Sequence, residues 1–100
     1  MTLAEVARIV RSKNAGPLQL TIDILAGDRA GYDMLGSSPA LGAERIAGLY
    51  GLAVSEVALV HVQAALAIKI TLPRPVVAGS PGDRDVYGAQ QHRPLLDLVL

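Results

Sequence analysis

Two stretches of this chain alternate apolar and polar residues with a period of two, and they limit the folds open to it. In Leu18 to Leu25, Leu18, Leu20, Ile22 and Ile24 fall on one side, and Gln19, Thr21 and Asp23 on the other. In Ala65 to Leu72, Leu66, Ile68, Ile70 and Leu72 oppose Ala67, Lys69 and Thr71. Successive side chains of a strand point to opposite faces, so each stretch predicts a strand with one buried and one polar face. Pro73 and Pro75 end the second stretch, because proline has no N–H to give to a ladder.

The remaining segments supply helices and further strands. Thr2 to Val10 predicts a helix: Leu3, Val6, Ala7 and Val10 share a face, and Thr2 with Glu5 has capping-box spacing. Asn14-Ala15-Gly16-Pro17 then reads as a turn. Asp28 can cap a short helix from Arg29 to Leu35, and Gly36 to Pro39 reads as a loop. Ala43 to Tyr50 predicts another helix, with Gly51 as its C-cap. Val57 to Val62, rich in β-branched residues, predicts a buried strand, and Leu95 to Leu100 a closing strand. Between them, Ala78 to Arg93 forms a long polar loop bearing Gly and Pro, of the kind that is functional or disordered. The expectation is a single α+β domain over residues 1–100, with four strands and helices on one face.

Composition narrows the function. The apolar content is aliphatic, with three Tyr and no Phe or Trp. Nine basic residues balance nine acidic ones, which leaves no electrostatic footprint for nucleic acid or a membrane surface. A neutral, apolar chain of this kind tends to associate, so an oligomer or complex is expected. The absence of Cys removes disulfides, thiol chemistry and Cys-based zinc sites. Glu5 interrupts the N-terminal apolar stretch, which lacks the pattern of a signal peptide. No apolar run reaches the roughly 18 residues of a membrane span, so a cytoplasmic location is expected.

Three constellations could carry chemistry. Arg11, Ser12, Lys13, Asn14 and Gly16 gather two cations, a hydroxyl, an amide and a glycine in what reads as a turn. Such a turn can cradle an anion, or it can be a solvated helix end in which the cations complement the dipole. Lys69, with Arg74 beyond it, is a lone charge in an apolar strand. It either meets an anion or partner, or guards an edge strand against aggregation. The loop from Gly79 concentrates Asp83, Asp85, Tyr87, Gln90, Gln91 and His92, a set suited to recognising a partner or ligand; otherwise it is an exposed linker. Asp-x-Asp followed by His is a weak metal pattern, and no metal site or cofactor is inferred from it. His61 reads as a hydrogen-bonded core residue. No nucleophile elbow or phosphate loop is present.

The strings Ile9 to Pro17, Ala65 to Thr71 with Pro73-Arg74-Pro75, and Gly79 to His92 resemble a family of small domains of unknown function. Its members accompany, or are fused to, proteins similar to the acyclic terpene utilisation protein AtuA. The likeness covers nearly the whole chain. The family is similar, more loosely, to the C-terminal domain of AtuA, which implies a ferredoxin-like, mainly antiparallel sandwich. That domain carries an Arg-Ser-Gly-Asp-Lys-Gly turn. Arg11, Ser12 and Gly16 match it, whereas Lys13 and Asn14 stand where it has Gly-Asp, so no role of that Asp carries over.

The resemblance implies an AtuA-like large subunit as partner. It also implies a role in catabolism of branched or terpenoid carboxylic acids or their CoA thioesters, through lyase, hydratase or isomerase chemistry. No unambiguous nucleophile is present, so the main chemistry would sit on the partner. The alternative is a non-catalytic homo-oligomeric or ligand-sensing module. Stand-alone catalysis is disfavoured, since few acid–base groups converge in so small a domain.

Overall fold

The computed structural model describes residues 1–16, 18–74 and 92–100, with the side chain of Arg93 left out. Its elements in chain order are α1 (Leu3–Val6), β1 (Ala7–Asn14), β2 (Gln19–Ala26), α2 (Arg29–Ser37), α3 (Ala43–Tyr50), β3 (Ala58–Val62), β4 (Ala67–Pro73) and α4 (Arg93–Leu96). The strands form one antiparallel sheet in the order β1-β2-β4-β3. The α+β class and the four-stranded antiparallel sheet are the expected ones. Their connectivity is a hairpin, two helices and a second hairpin, so β1 pairs with β2 and β3 with β4.

The period-two stretches became the two central strands. Leu20 lies opposite Leu72, Ile22 opposite Ile70 and Ile24 opposite Ile68. All six are buried, and they pack with Tyr32 and Leu35 of α2, Ile46 of α3, and Leu3, Leu41 and Leu95. Complete burial of one such aliphatic side chain contributes about 1.5–3 kcal/mol. The core therefore lies between one face of the sheet and the helices, and the opposite face is open: Arg11, Lys13, Val60 and Lys69 on it are exposed.

Both helices begin and end as their sequences direct. The Asp28 carboxylate accepts the Gly31 N–H at 2.8 Å and caps α2. At the end of α3, Gly51 adopts φ +69°, the left-handed conformation that glycine enters without a Cβ penalty.

Three predicted elements differ. The N-terminal helix is a single turn that stops at Val6, and Ala7–Asn14 is a strand. Leu3, Val6, Ala7 and Val10 still face the core, but the first two do so from the helical turn and the others from β1. Between Ala7 and Ile9 the ladder shifts by one residue: Ala7 lies opposite Ala26 and Ile9 opposite Leu25, so Arg8 is the extra residue of a β-bulge. The strand read as buried, β3, is an edge strand. Among the described residues it pairs only with β4, and Leu59 is its one half-buried residue. His61 is accordingly exposed rather than a core histidine, with its ring edge-on to Tyr32 at 6.5 Å.

The closing strand is replaced by the one-turn helix α4 and an isolated bridge between Thr2 and Val99. Pro94 lies in the first turn of α4, where its missing N–H costs nothing. Leu95 plugs the core, and the Leu3 N–H donates to the Leu98 carbonyl at 2.9 Å. Among the described residues, no helix is long and apolar enough to cross a membrane.

Candidate functional site

The polar string Arg11-Ser12-Lys13-Asn14 is not a turn: it is the second half of β1. Strand alternation therefore divides it. Ser12 and Asn14 lie opposite Ile22 and Leu20 and face the helices, whereas Arg11 and Lys13 lie opposite Asp23 and Thr21 on the open face. Two separate polar groupings follow.

The inner grouping joins three remote stretches of chain. The Ser12 hydroxyl, almost fully buried, lies 3.2 Å from Nδ1 of His92 at the start of α4. Which of the two donates depends on the imidazole tautomer. Next to Ser12 on the same side of β1, Asn14 accepts through Oδ1 a hydrogen bond from Nη1 of Arg74. Arg74 follows β4 directly and is buried. Its backbone N–H donates to the Leu18 carbonyl at 2.9 Å, which seats it beside the β1–β2 turn. Burial of a guanidinium requires hydrogen-bonding partners, and the Asn14 amide oxygen is one of them. Two hydrogen-bonded pairs, Ser12 with His92 and Asn14 with Arg74, thus sit next to each other along the helix side of β1. That set favours recognition of an acidic or carbonyl group by several donors at once.

The outer grouping is a row across the open face. Arg11, Asp23, Lys69 and Val60 are consecutive cross-strand neighbours on β1, β2, β4 and β3. Arg11 and Asp23 form an ion pair at 3.5 Å, and most of the Arg11 side chain is in solvent. Lys69 does not guard an edge, as β4 is flanked on both sides. Together with Leu25, Val62, Ala65 and Ala67, the Arg11, Asp23 and Lys69 of this row line a shallow cavity of about 230 Å³. A wider groove of about 350 Å³, between Met1, Met34, Pro39 and Leu100, has no charged side chain in its walls.

The sequence candidates thus separate. Ser12, Asn14 and His92 converge, while Arg11 and Lys69 belong to the outer row, with Lys13 beside it. Gly16, exposed and at φ +93°, shapes the β1–β2 turn. Asp83, Asp85, Tyr87, Gln90 and Gln91 lie outside the described residues. Arg74 was legible only as a companion of Lys69, though it ends beside Asn14 instead. Its position directly after a proline-terminated strand was the available signal. Among the described residues, no group of three or more His, Asp or Glu is placed to hold a metal ion.

A family model for a domain of unknown function, DUF4387, matches residues 3–99. The chain belongs to the DUF4387 family. No curated protein and no solved structure matches this DUF4387 chain. The match takes in both groupings, since Ser12, Asn14, Arg74 and His92 on one face and Arg11, Asp23 and Lys69 on the other all fall within it.

Proposed function

We propose that this chain is the small subunit of a two-component, AtuA-like catabolic enzyme acting on branched or terpenoid carboxylic acids or their CoA thioesters. The main chemistry sits on the large partner. The observation that carries the reading is that the Ser12–His92 and Asn14–Arg74 pairs bring three distant parts of the chain onto the helix side of β1. Four hydrogen-bonding side chains of this kind suit the carboxylate or thioester carbonyl of such a substrate. Among the described residues they include no carboxylate pair and no Cys, which fits a subunit that binds and orients substrate rather than one that transforms it alone.

The test mixes this chain with an AtuA-like chain and follows conversion of a branched acyl-CoA. Conversion should appear only when both are present, and they should co-elute in fixed stoichiometry. His92→Ala should raise KM for the pair while co-elution is retained. Arg11→Ala, on the opposite face, should keep folding stability within about 0.5 kcal/mol, as exposed ion pairs contribute little. It should also leave KM in place. Absence of any complex sinks the proposal; loss of substrate binding in Arg11→Ala alone would move the site to the outer row.

A further inference from the structure

The two edges of the sheet are built differently. One edge, β1, carries Arg8, Arg11 and Lys13 and is interrupted by the bulge at Arg8. Charges and bulges are the devices by which edge strands avoid pairing with other chains. The other edge, β3, has neither. Its sequence is Ala58-Leu59-Val60-His61-Val62, its pairing with β4 is regular over all five residues, and it contains no Asp, Glu, Lys, Arg or Pro. Val60 is 54% exposed and Val62 37%. Short helical turns at Val54–Glu56 and Gln63–Ala65 bound the strand. Among the described residues, the only ladder β3 forms is the one with β4.

We propose that β3 is a self-association edge, at which a second copy of this chain pairs antiparallel about a two-fold axis through Val60. The two four-stranded sheets then join into one of eight strands. The strand is complementary to itself in this register. Val60 meets its own counterpart and Ala58 meets Val62 on the open face, while Leu59 meets His61 on the helix side. Each pair on the open face is apolar, and no like charges face one another. The same operation on β1, through Arg11, would set that guanidinium against its own counterpart, so charge selects the β3 edge. The closed symmetry stops growth at two copies, because pairing consumes the unguarded edge of each. This inference does not depend on the proposed function.

The test is the molar mass of the full chain in solution by sedimentation across a concentration series, for the wild type and two variants. The wild type should approach twice 10.4 kDa, that is 20.8 kDa. Val60→Glu should weaken the dimer by about tenfold or more, since two carboxylates then face each other across the axis. Within its own chain the new carboxylate lies beside Lys69, so folding is not set against it. An equimolar mixture of Val60→Glu and Val60→Lys should recover a dimer, because opposite charges then meet at the axis. A wild type that stays at 10.4 kDa overturns the proposal, as does a Val60→Glu chain that dimerises like the wild type. Failure of the mixture to associate excludes the two-fold through Val60 and overturns it equally.

Discussion

Replacing Leu95 with Ala probes how the inner grouping is held together. Leu95 is 0% exposed and carries α4 into the core. Its N–H donates to the His92 carbonyl at 3.0 Å, and its own carbonyl accepts from Leu98 at 3.1 Å. The Leu98 carbonyl in turn receives the Leu3 N–H. Leu95 thus fixes both the residue that meets Ser12 and the segment that ties α1 to the C-terminus. Removing a buried Leu side chain down to Ala costs about 2.7–5 kcal/mol in lost transfer energy and cavity. A one-turn helix can settle partly into the gap, so the lower end, about 3 kcal/mol, is expected. A domain of this size is stable by about 5–15 kcal/mol in all, so the loss is a large share. With a urea dependence of about 1.5 kcal/mol per M, the unfolding midpoint should fall by about 2 M. Amide exchange gives the local reading: the Leu3 N–H should lose protection before that of Ile22 in β2, because the C-terminal segment opens ahead of the sheet. A midpoint shift under about 0.5 M with Leu3 still protected would refute the role assigned to Leu95.

Further outcomes follow from the caps. The Glu5 carboxylate accepts from both the backbone N–H and the hydroxyl of Thr2, at 2.8 and 3.0 Å, and these bonds hold its pKa below the ordinary glutamate range. Because the folded value is the lowered one, the stability it contributes is complete above the unfolded value, about 4.3, and is lost as pH falls through the folded one. The difference in melting temperature between wild type and Glu5→Gln should therefore be constant near neutral pH and shrink below about pH 4; a difference that ignores pH would count against this. Gly51→Ala should destabilise by about 1 kcal/mol through its left-handed backbone alone, since no atom lies within 4 Å of the added Cβ. Gly48→Ala, inside α3 and also without neighbours in that range, should instead stabilise by about 0.5–1 kcal/mol. Equal signs in urea unfolding would show that contacts, not backbone, set both effects.

Particular residues explain how much of this was legible. The period-two pattern of Leu20, Ile22 and Ile24 against Ile68, Ile70 and Leu72 located the central strands to within two residues at each end, because a half-buried strand has no other periodicity. The set Leu3, Val6, Ala7 and Val10 misled for a physical reason. All four face the core, as the helical pattern requires, but a helical turn followed by a bulged strand satisfies the same spacing. The run Val57 to Val62 showed that aliphatic, β-branched composition marks a strand without telling an edge from an interior position. At the C-terminus, Pro94 and the plug at Leu95 turned an expected strand into a helical turn. For the site, the residue types at Ser12, Asn14 and His92 were visible, but their meeting was not. Ser12 and His92 are 80 residues apart, and no local pattern couples them. The separation of Arg11 and Lys13 from Ser12 and Asn14 was hidden by reading the string as a turn.

The bulge at Arg8 acts as a phase switch. On its N-terminal side the odd-numbered residue Ala7 lies opposite inward-facing Ala26; beyond it, odd-numbered Ile9, Arg11 and Lys13 turn outward. Were Arg8 instead to take a regular place in the ladder, the strand entering from the buried turn of α1 would carry two cations into an aliphatic interior and expose the hydroxyl that meets His92. A single uncounted position near the N-terminus therefore decides which side of the protein each half of its polar string addresses.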